Sequence, residues 1–398
     1  MLKGKNIVLG VTGSIAAYKI ANLASMLVKL HANVTVLMTK NATNFINPIT
    51  FETLTGNKCL IDTFDRNFQY SVEHVAVAQK TDVVLIAPAS ANVIGKMANG
   101  IADDMLTTTI MACKCKIMLA PAMNTSMYEN PIVQDNIEKL RKFHYEIIDP
   151  DSGYLACGDT GKGKMPSEET LLNYIRKEIA HEKDMKGMRV LVTAGATLER
   201  LDPVRFITNH STGKMGYAIA ENAMLRGASV TLISGRASAA KPPFVNFIQV
   251  ESAQEMFEAV KENAVQADII IKSAAVADYR PKNIADNKIK KNADDMLIEL
   301  ERTTDILQYL GQHKQANQFI CGFSMETENM VENSKQKREK KNIDMIVANN
   351  LKVKGAGFGV DTNEVTLITE KSCVELPLMT KAEVAEKLLT EIIKLKNL

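Results

Sequence analysis

Asn6-Ile7-Val8-Leu9-Gly10-Val11-Thr12-Gly13-Ser14 decides the fold, because the same kind of segment recurs at Met188-Arg189-Val190-Leu191-Val192-Thr193-Ala194-Gly195. Each is a short apolar run that ends in a glycine-bearing turn ahead of a helical pattern, as expected of a buried parallel strand feeding a helix. Further apolar runs follow the first copy at 34–39, 83–87 and 117–120, with amphipathic stretches at 15–30 and 131–143. A charged stretch over 176–187 reads as a helix end and linker. Beyond it the runs resume at 229–235, 247–251, 269–275, 319–323 and 345–348, then an alternating stretch at 364–369 and a helix over 381–394. Strands alternating with helices predict an α/β chain of two Rossmann-like three-layer domains with mostly parallel sheets. The expected domains are 1–187 and 188–398, each large enough for its own core.

Composition excludes several classes. The 398 residues are 46% hydrophobic and 24% charged, ordinary for a globular protein, and exceed what one core usually serves. A net charge of +2 favours neither nucleic acid nor an anionic membrane as partner. No apolar run approaches the ~20 residues that span a bilayer. The opening residues run into a strand without a signal-peptide cleavage pattern, and six cysteines mostly inside apolar segments suit a reducing cytoplasm. Cys113 and Cys115 lack the second ligand pair that a zinc site needs.

In the first half, Gly13 and Ser14 follow a strand and open a helix, where backbone N–H groups suit a phosphate. The turn is not Gly-x-Gly-x-x-Gly, and the second strand ends in Met38-Thr39-Lys40, without the acid that binds an NAD ribose. Ala87-Pro88-Ala89-Ser90-Ala91-Asn92 and Ala120-Pro121-Ala122-Met123-Asn124 end two more strands. Ligands of open α/β sheets sit beyond such ends, so all three point to one crevice. By itself His74 reads as a surface or satisfied helical residue.

Asp151-Ser152-Gly153-Tyr154-Leu155-Ala156-Cys157-Gly158-Asp159-Thr160-Gly161-Lys162-Gly163-Lys164-Met165 is expected to be a mobile loop, because glycines punctuate it. A free cysteine is often a buried filler. Cys157, flanked by glycines, has little core to fill, and loops that close over sites often carry one reactive group.

Together, the Gly13–Ser14 turn, Glu73-His74, Pro-Ala-Ser-Ala-Asn, Pro-Ala-Met-Asn and the Ala-Cys-Gly-Asp-x-Gly-x-Gly-Lys-Met flap resemble the flavin-dependent cysteine decarboxylases. The likeness is closest to the phosphopantothenoylcysteine decarboxylases. It covers residues 1 to about 170. It implies FMN held by Gly13, Ser14, Thr39, Ser90 and Asn92, with the phosphate near Ser14 and Ser90. It also implies that His74 acts at thiol oxidation, Asn124 holds the cysteinyl carboxylate and Cys157 donates a proton. The chemistry suits these types: a cysteinyl group has no electron sink for CO₂ loss until its Cβ–S unit is oxidised to a thioaldehyde. A base, a carboxylate anchor and a proton donor are then needed.

In the second half, Arg205-Phe206-Ile207-Thr208-Asn209-His210-Ser211-Thr212-Gly213-Lys214 is another polar, glycine-bearing entry to a helix. Ser273-Ala274-Ala275-Val276-Ala277-Asp278 and Lys288-Ile289-Lys290-Lys291 follow. The run 335–341 would ordinarily be a solvated helix face, yet Lys337 and Lys341 are four apart and share one side. Neither basic cluster carries the aromatics of a single-strand binder.

These motifs resemble phosphopantothenate–cysteine ligases over roughly 188–398. The resemblance implies CTP, with Mg²⁺ held beside it and Asp278 a candidate ligand. Asn209 would serve the acyl-cytidylate step, Arg205 would lie near 4′-phosphopantothenate, and Lys288 would steady the transferring phosphoryl charge. Ser273, Ala274, Ala275, Asp278, Lys288, Thr303, Thr304, Asp305, Ile306, Phe323, Lys337 and Lys341 would form the CTP pocket. Such families often read Ser-Ser-Gly where this chain has Ser211-Thr212-Gly213, and Thr212 keeps the hydroxyl.

The expected whole is a cytoplasmic bifunctional enzyme of coenzyme A synthesis acting on 4′-phosphopantothenate, cysteine and CTP. The resemblance implies a homo-oligomer with trimeric decarboxylase and dimeric ligase contacts, a dodecamer among the assemblies these allow. Three rivals stand beside it. A two-domain NAD(P) dehydrogenase lacks the glycine fingerprint here. A flavin prenyltransferase explains neither the Cys157 flap nor the second half. A non-enzymatic binding subunit fits poorly with both His74 and Cys157 present.

Overall fold

Branched side chains at alternating positions build a parallel strand that is covered on both faces, and the chain does this twice. The computed structural model describes residues 2–64, 73–154, 158, 160–290, 296–326, 329–350, 355, 357 and 359–396. It divides into two units, Met1–His181 and Glu182–Leu398. The charged stretch before residue 188 is shared out. Helix Glu168–Ile179 closes the first unit, while the Met185 N–H donates to the Arg226 carbonyl (3.0 Å) in the second.

The first unit holds β1 (Asn6–Val11), β2 (Asn33–Met38), β3 (Val83–Ala89), β4 (Lys116–Pro121) and β5 (Glu146–Ile147), all parallel in the order β2-β1-β3-β4-β5. Ile7, Leu9 and Val11 pack with Leu23 and Leu27 of helix Ala17–Lys29 and with Leu171 and Ile175 of helix Glu168–Ile179. Val8 turns the other way, towards Ile94, Leu106 and Leu140 of three helices on the opposite face. This alternation makes three layers. The strand order reverses between β1 and β3, where doubly wound sheets open a crevice.

A two-stranded hairpin, β6 (Asp151–Tyr154) with β7 (Thr160–Lys164), stands apart from that sheet. Where a loop was expected over residues 151–165, the two arms are paired antiparallel strands. The arms can form because residues on each side of 155–159 find each other's backbone. Cys157 lies outside the described residues.

In the second unit, β8 (Arg189–Ala194) is followed by a small pair, β9 (Leu198–Arg200) with β10 (Phe206–Thr208), and then by β11 (Ser229–Ser234), β12 (Asn246–Gln249) and β13 (Ile269–Lys272). A second small pair joins β14 (Tyr279–Pro281) to β15 (Leu300–Arg302). The last strands are β16 (Phe319–Glu326), β17 (Met345–Asn350), β18 (Thr362–Ile368) and β19 (Cys373–Thr380). The main sheet runs β12-β11-β8-β13-β16-β17-β18-β19, parallel up to β17 and antiparallel beyond.

Leu191, Ile270, Ile320, Ile346 and Ile368 share one face with Met256, Leu307 and Leu310 of covering helices. Helices Lys214–Leu225 and Lys381–Lys396 pack together and cover the sheet through β8, β11, β18 and β19. Here the order reverses between β8 and β13. Among the described residues, no helix is long and apolar enough to cross a membrane.

Candidate active sites

The first crevice is stitched across its switch point. The Thr12 hydroxyl at the end of β1 donates to the Pro88 carbonyl of β3 (2.6 Å) and accepts the Ser90 N–H (3.0 Å). Ser90 and Thr39 use their hydroxyls to cap the elements that follow, accepting from the Val93 and Ala42 N–H groups. Gly13 lies close to Asn41: a Cβ on it would stand 2.8 Å from the Asn41 Cβ. Asn92 is exposed on helix Ala91–Ala98.

A cavity of about 480 Å³ opens beside these turns, lined by Ser14, Tyr18, Met123, Asn124, Tyr154 and Lys164 among others. It brings Ser14 and Asn124 together. Thr39, Ser90 and Asn92 stand outside its walls, as does His74, which is half-buried on helix Glu73–Lys80. Asn124 caps the short helix Thr125–Tyr128 by accepting the Ser126 N–H (2.8 Å).

The hairpin docks on that same segment. The Met123 N–H donates to the Gly163 carbonyl (3.1 Å). Gly163 has φ +134°, and a Cβ there would stand 2.3 Å from the Met123 carbonyl oxygen. Only glycine permits this approach. The arms that flank Cys157 are thereby fixed against the Asn124 turn. The walls are largely apolar, through Ile15, Tyr18, Ala122 and Met123, with a helix N-terminus at one end. A flat aromatic ring carrying a phosphate fits such a site.

The second crevice is polar. A cavity of about 380 Å³ brings together seven residues expected from sequence: Asn209, Ser273, Ala274, Ala275, Asp278, Phe323 and Lys337. It adds Thr212, Gly213 and Lys214 from the glycine-bearing entry segment that the sequence had marked, and Lys272, Asn349 and Lys381, which sequence reasoning did not select. The Asn209 amide donates to the Ala275 carbonyl (3.1 Å), joining the two entry loops. Gly213, at φ +76°, starts helix Lys214–Leu225 with no side-chain cap. A residue with a Cβ would be strained there and would press on Ala237. Lys214 donates to Asp361 (2.7 Å), and buried Lys381 donates to the Gly357 carbonyl (3.1 Å).

The remaining expected CTP residues lie behind or beside this cavity. Thr303 donates its hydroxyl to the Ala277 carbonyl (2.6 Å), Thr304 follows it, and Ile306 is buried in the core. Asp305 caps helix Ile306–Gln312 and pairs with Lys341 (2.6 Å). Burial pushes the Asp305 carboxyl up, but the Lys341 and Gln308 hydrogen bonds outweigh it, leaving its pKa below the ordinary value. Lys341 is a C-cap residue, just past helix Met330–Lys340.

Arg205 and Lys288 do not line the cavity. A buried acid that sequence reasoning missed, Asp202, holds their segments together. It accepts the N–H groups of Val204 (2.7 Å), Arg205 (2.8 Å) and Ile289 (3.1 Å). Burial alone would raise its pKa; these backbone bonds and Arg205 lower it overall. A local Asp-x-x-Arg spacing was its only sequence signal. Among the described residues, no group of three or more His, Cys, Asp or Glu is arranged to hold a metal ion. Exposed Asp278 on the cavity wall suits a cation that arrives with a nucleotide's phosphates.

Two family models match the chain. Residues 1–180 match the flavoprotein family and residues 185–395 the C-terminal domain of DNA/pantothenate metabolism flavoproteins. The coenzyme A biosynthesis bifunctional protein CoaBC of Bacillus subtilis (strain 168) is 46% identical, covering 100% of this chain and 98% of that protein. A cysteine/cysteine sulfinic acid decarboxylase from an unknown prokaryotic organism is 43% identical, covering 88% of this chain and 99% of that one. The solved C-terminal domain of a coenzyme A biosynthesis bifunctional protein CoaBC is 45% identical, covering 54% of this chain and 98% of that chain with a TM-score of 0.47. With two flavoprotein family matches in tandem and a bifunctional relative matched from end to end, the chain belongs to the bifunctional flavoprotein enzymes of coenzyme A biosynthesis.

Proposed function

We propose that residues 188–398 join 4′-phosphopantothenate to cysteine with CTP, and that residues 1–187 decarboxylate the product to 4′-phosphopantetheine. The observation that carries this reading is the pair of dissimilar crevices at two switch points, one apolar beneath a docked hairpin and one lined by lysines.

In the second crevice the substrate carboxylate attacks the α-phosphorus of CTP, pyrophosphate leaves, and the cysteine amine then displaces CMP from the acyl carbon. Lys337 and the N-terminus of helix Lys214–Leu225 bind the polyphosphate, and Mg²⁺ accompanies it with Asp278 nearby. Asn209, fixed on Ala275, orients the acyl-cytidylate. Arg205 and Lys288, on the Asp202-bound segments, serve the phosphopantothenate and the transferring phosphoryl group. The backing residues Thr303, Thr304, Asp305, Ile306 and Lys341 shape the nucleotide end.

FMN, when bound in the first crevice, supplies the two-electron oxidation that gives the cysteinyl group an electron sink. Gly13, Ser14, Thr39, Ser90 and Asn92 would hold it beyond the ends of β1, β2 and β3. His74 takes the substrate's thiol proton, Asn124 holds its carboxylate, and the Cys157 thiol gives a proton to the carbon that CO₂ has left. The hairpin excludes water from the same space.

Exposed Ile15, Tyr18, Phe45 and Ile49 in the first unit, and Val204, Phe206, Leu297 and Leu300 in the second, support a homo-oligomer with trimeric and dimeric contacts, a dodecamer when both are satisfied. Free cysteines among the described residues support a cytoplasmic setting.

Asn209→Asp and Cys157→Ser test the division of labour. Asn209→Asp is expected to stop CMP release yet still decarboxylate supplied phosphopantothenoylcysteine. Cys157→Ser is expected to keep its flavin, release CO₂ and accumulate an oxidised enethiol. Full ligase turnover in the first, or normal phosphopantetheine output from the second, removes that residue from its role.

A further inference from the structure

Lys272 ends β13 at the switch point, with Thr193 of β8 and Gly322 of β16 as its register neighbours. Ile270, two residues earlier on the same strand, packs beneath Leu307 and Leu310, so Lys272 follows it towards helices Ile306–Gln312 and Met330–Lys340. Its side chain reaches the wall of the polar cavity.

Among the described residues, nothing there hydrogen-bonds or ion-pairs with it. The acid that pulls on it most, Asp305 at the N-cap of helix Ile306–Gln312, is already engaged by Lys341 (2.6 Å) and by the Gln308 N–H (3.0 Å). Asp278 is exposed at the mouth, and Lys337 adds a second cation to the same wall. A partly buried ammonium without a counter-ion is costly, and an anionic ligand removes that cost. Burial first, then Lys341 and Lys337, lower the Lys272 pKa to about 8, against the smaller opposing pull of Asp305 and Asp278. The amine is therefore partly neutral near that pH when the cavity is free of ligand.

We propose that Lys272 is a further polyphosphate-binding residue of this cavity, and that nucleotide binding draws a proton from solvent onto its amine. This rests on the nucleotide reading of the second crevice. The sign is fixed. A phosphoryl oxygen beside Lys272 raises its pKa, so binding takes up a proton around pH 8, and affinity falls as pH rises through that value. Below pH 7 the amine is already charged and uptake vanishes.

The test is calorimetric titration of the full chain with CTP at pH 8, in two buffers of different ionisation enthalpy. Wild type is expected to take up roughly half a proton, falling towards zero at pH 6.5. Tripolyphosphate should give the same sign of uptake, and cytidine none. Lys272→Met should lose the uptake and bind CTP roughly tenfold more weakly at pH 7. Lys272→Arg, always charged, should recover binding without the uptake, which separates a charge effect from misfolding. Undiminished uptake in Lys272→Met, CTP binding by wild type without uptake, or equal uptake with cytidine would each overturn the proposal. Failure of wild type to bind CTP at all would overturn the nucleotide reading and the proposal with it.

Discussion

Gly163 shows how one backbone position decides the chemistry available to a crevice. Its φ of +134° and its closeness to the Met123 carbonyl let the hairpin lie on the Asn124 turn. Gly163→Ala forces about 1–3 kcal/mol of backbone strain, besides the clash. We expect the hairpin to lift, CO₂ release from supplied phosphopantothenoylcysteine to fall at least roughly tenfold, and CMP release by the same variant to stay normal. Assaying both products on one sample checks this, and unchanged CO₂ release would show that docking is dispensable. Asp202 works by similarly local means, collecting N–H groups from two segments that carry expected substrate-binding residues. The Asn209, Ser273–Ala275 and Lys337 cluster was legible through the resemblance to the ligases, with the Lys337–Lys341 helical spacing as the one signal read from the residues themselves. Lys272 was not, because a lysine after three isoleucines reads as a strand end; its lack of a partner depends on Asp305 choosing Lys341 instead.

At the scale of elements, the buried parallel strands announced themselves through branched apolar runs, and their helices through amphipathic spacing. Elements that bury little were silent. β19 exposes most of its side chains and is held by antiparallel backbone bonds to β18, so no apolar run marks it. The β6–β7 hairpin is glycine-rich, and its pairing partners are set by backbone geometry rather than by side-chain pattern. Arg226 is a further case. It is almost wholly buried and gives charge-assisted hydrogen bonds to Asp184 (2.9 and 2.5 Å), and it also reaches the Glu386 carbonyl (3.2 Å) and the Thr390 hydroxyl (3.0 Å). It thus ties the segment before β8, its own helix end and the last helix into one piece. Arg226→Met is expected to destabilise the second unit by about 2–3 kcal/mol. Thermal unfolding followed separately by flavin release and by loss of CTP binding should move only the second transition. A shift of both together would show that the two units unfold as one.

For the whole molecule, each unit has its own sheet, its own two-faced core and its own switch-point crevice. Duplication of one architectural idea yields two unlike sites because the loops at the strand ends differ: prolines, small residues and a hairpin in the first, lysines and amides in the second. The ligation product carries the cysteinyl carboxylate that decarboxylation removes, so the two reactions are consecutive. One relative is described as a cysteine/cysteine sulfinic acid decarboxylase, whereas the consecutive scheme places decarboxylation on the ligation product.

Cysteine labelled at its carboxyl carbon separates these cases directly, given to the intact protein with 4′-phosphopantothenate, FMN and Mg²⁺, with and without CTP. We expect labelled CO₂ only when CTP is present, in amounts equal to the CMP formed. Labelled CO₂ released without CTP would contradict the two-step scheme and make the first crevice a decarboxylase of free cysteine.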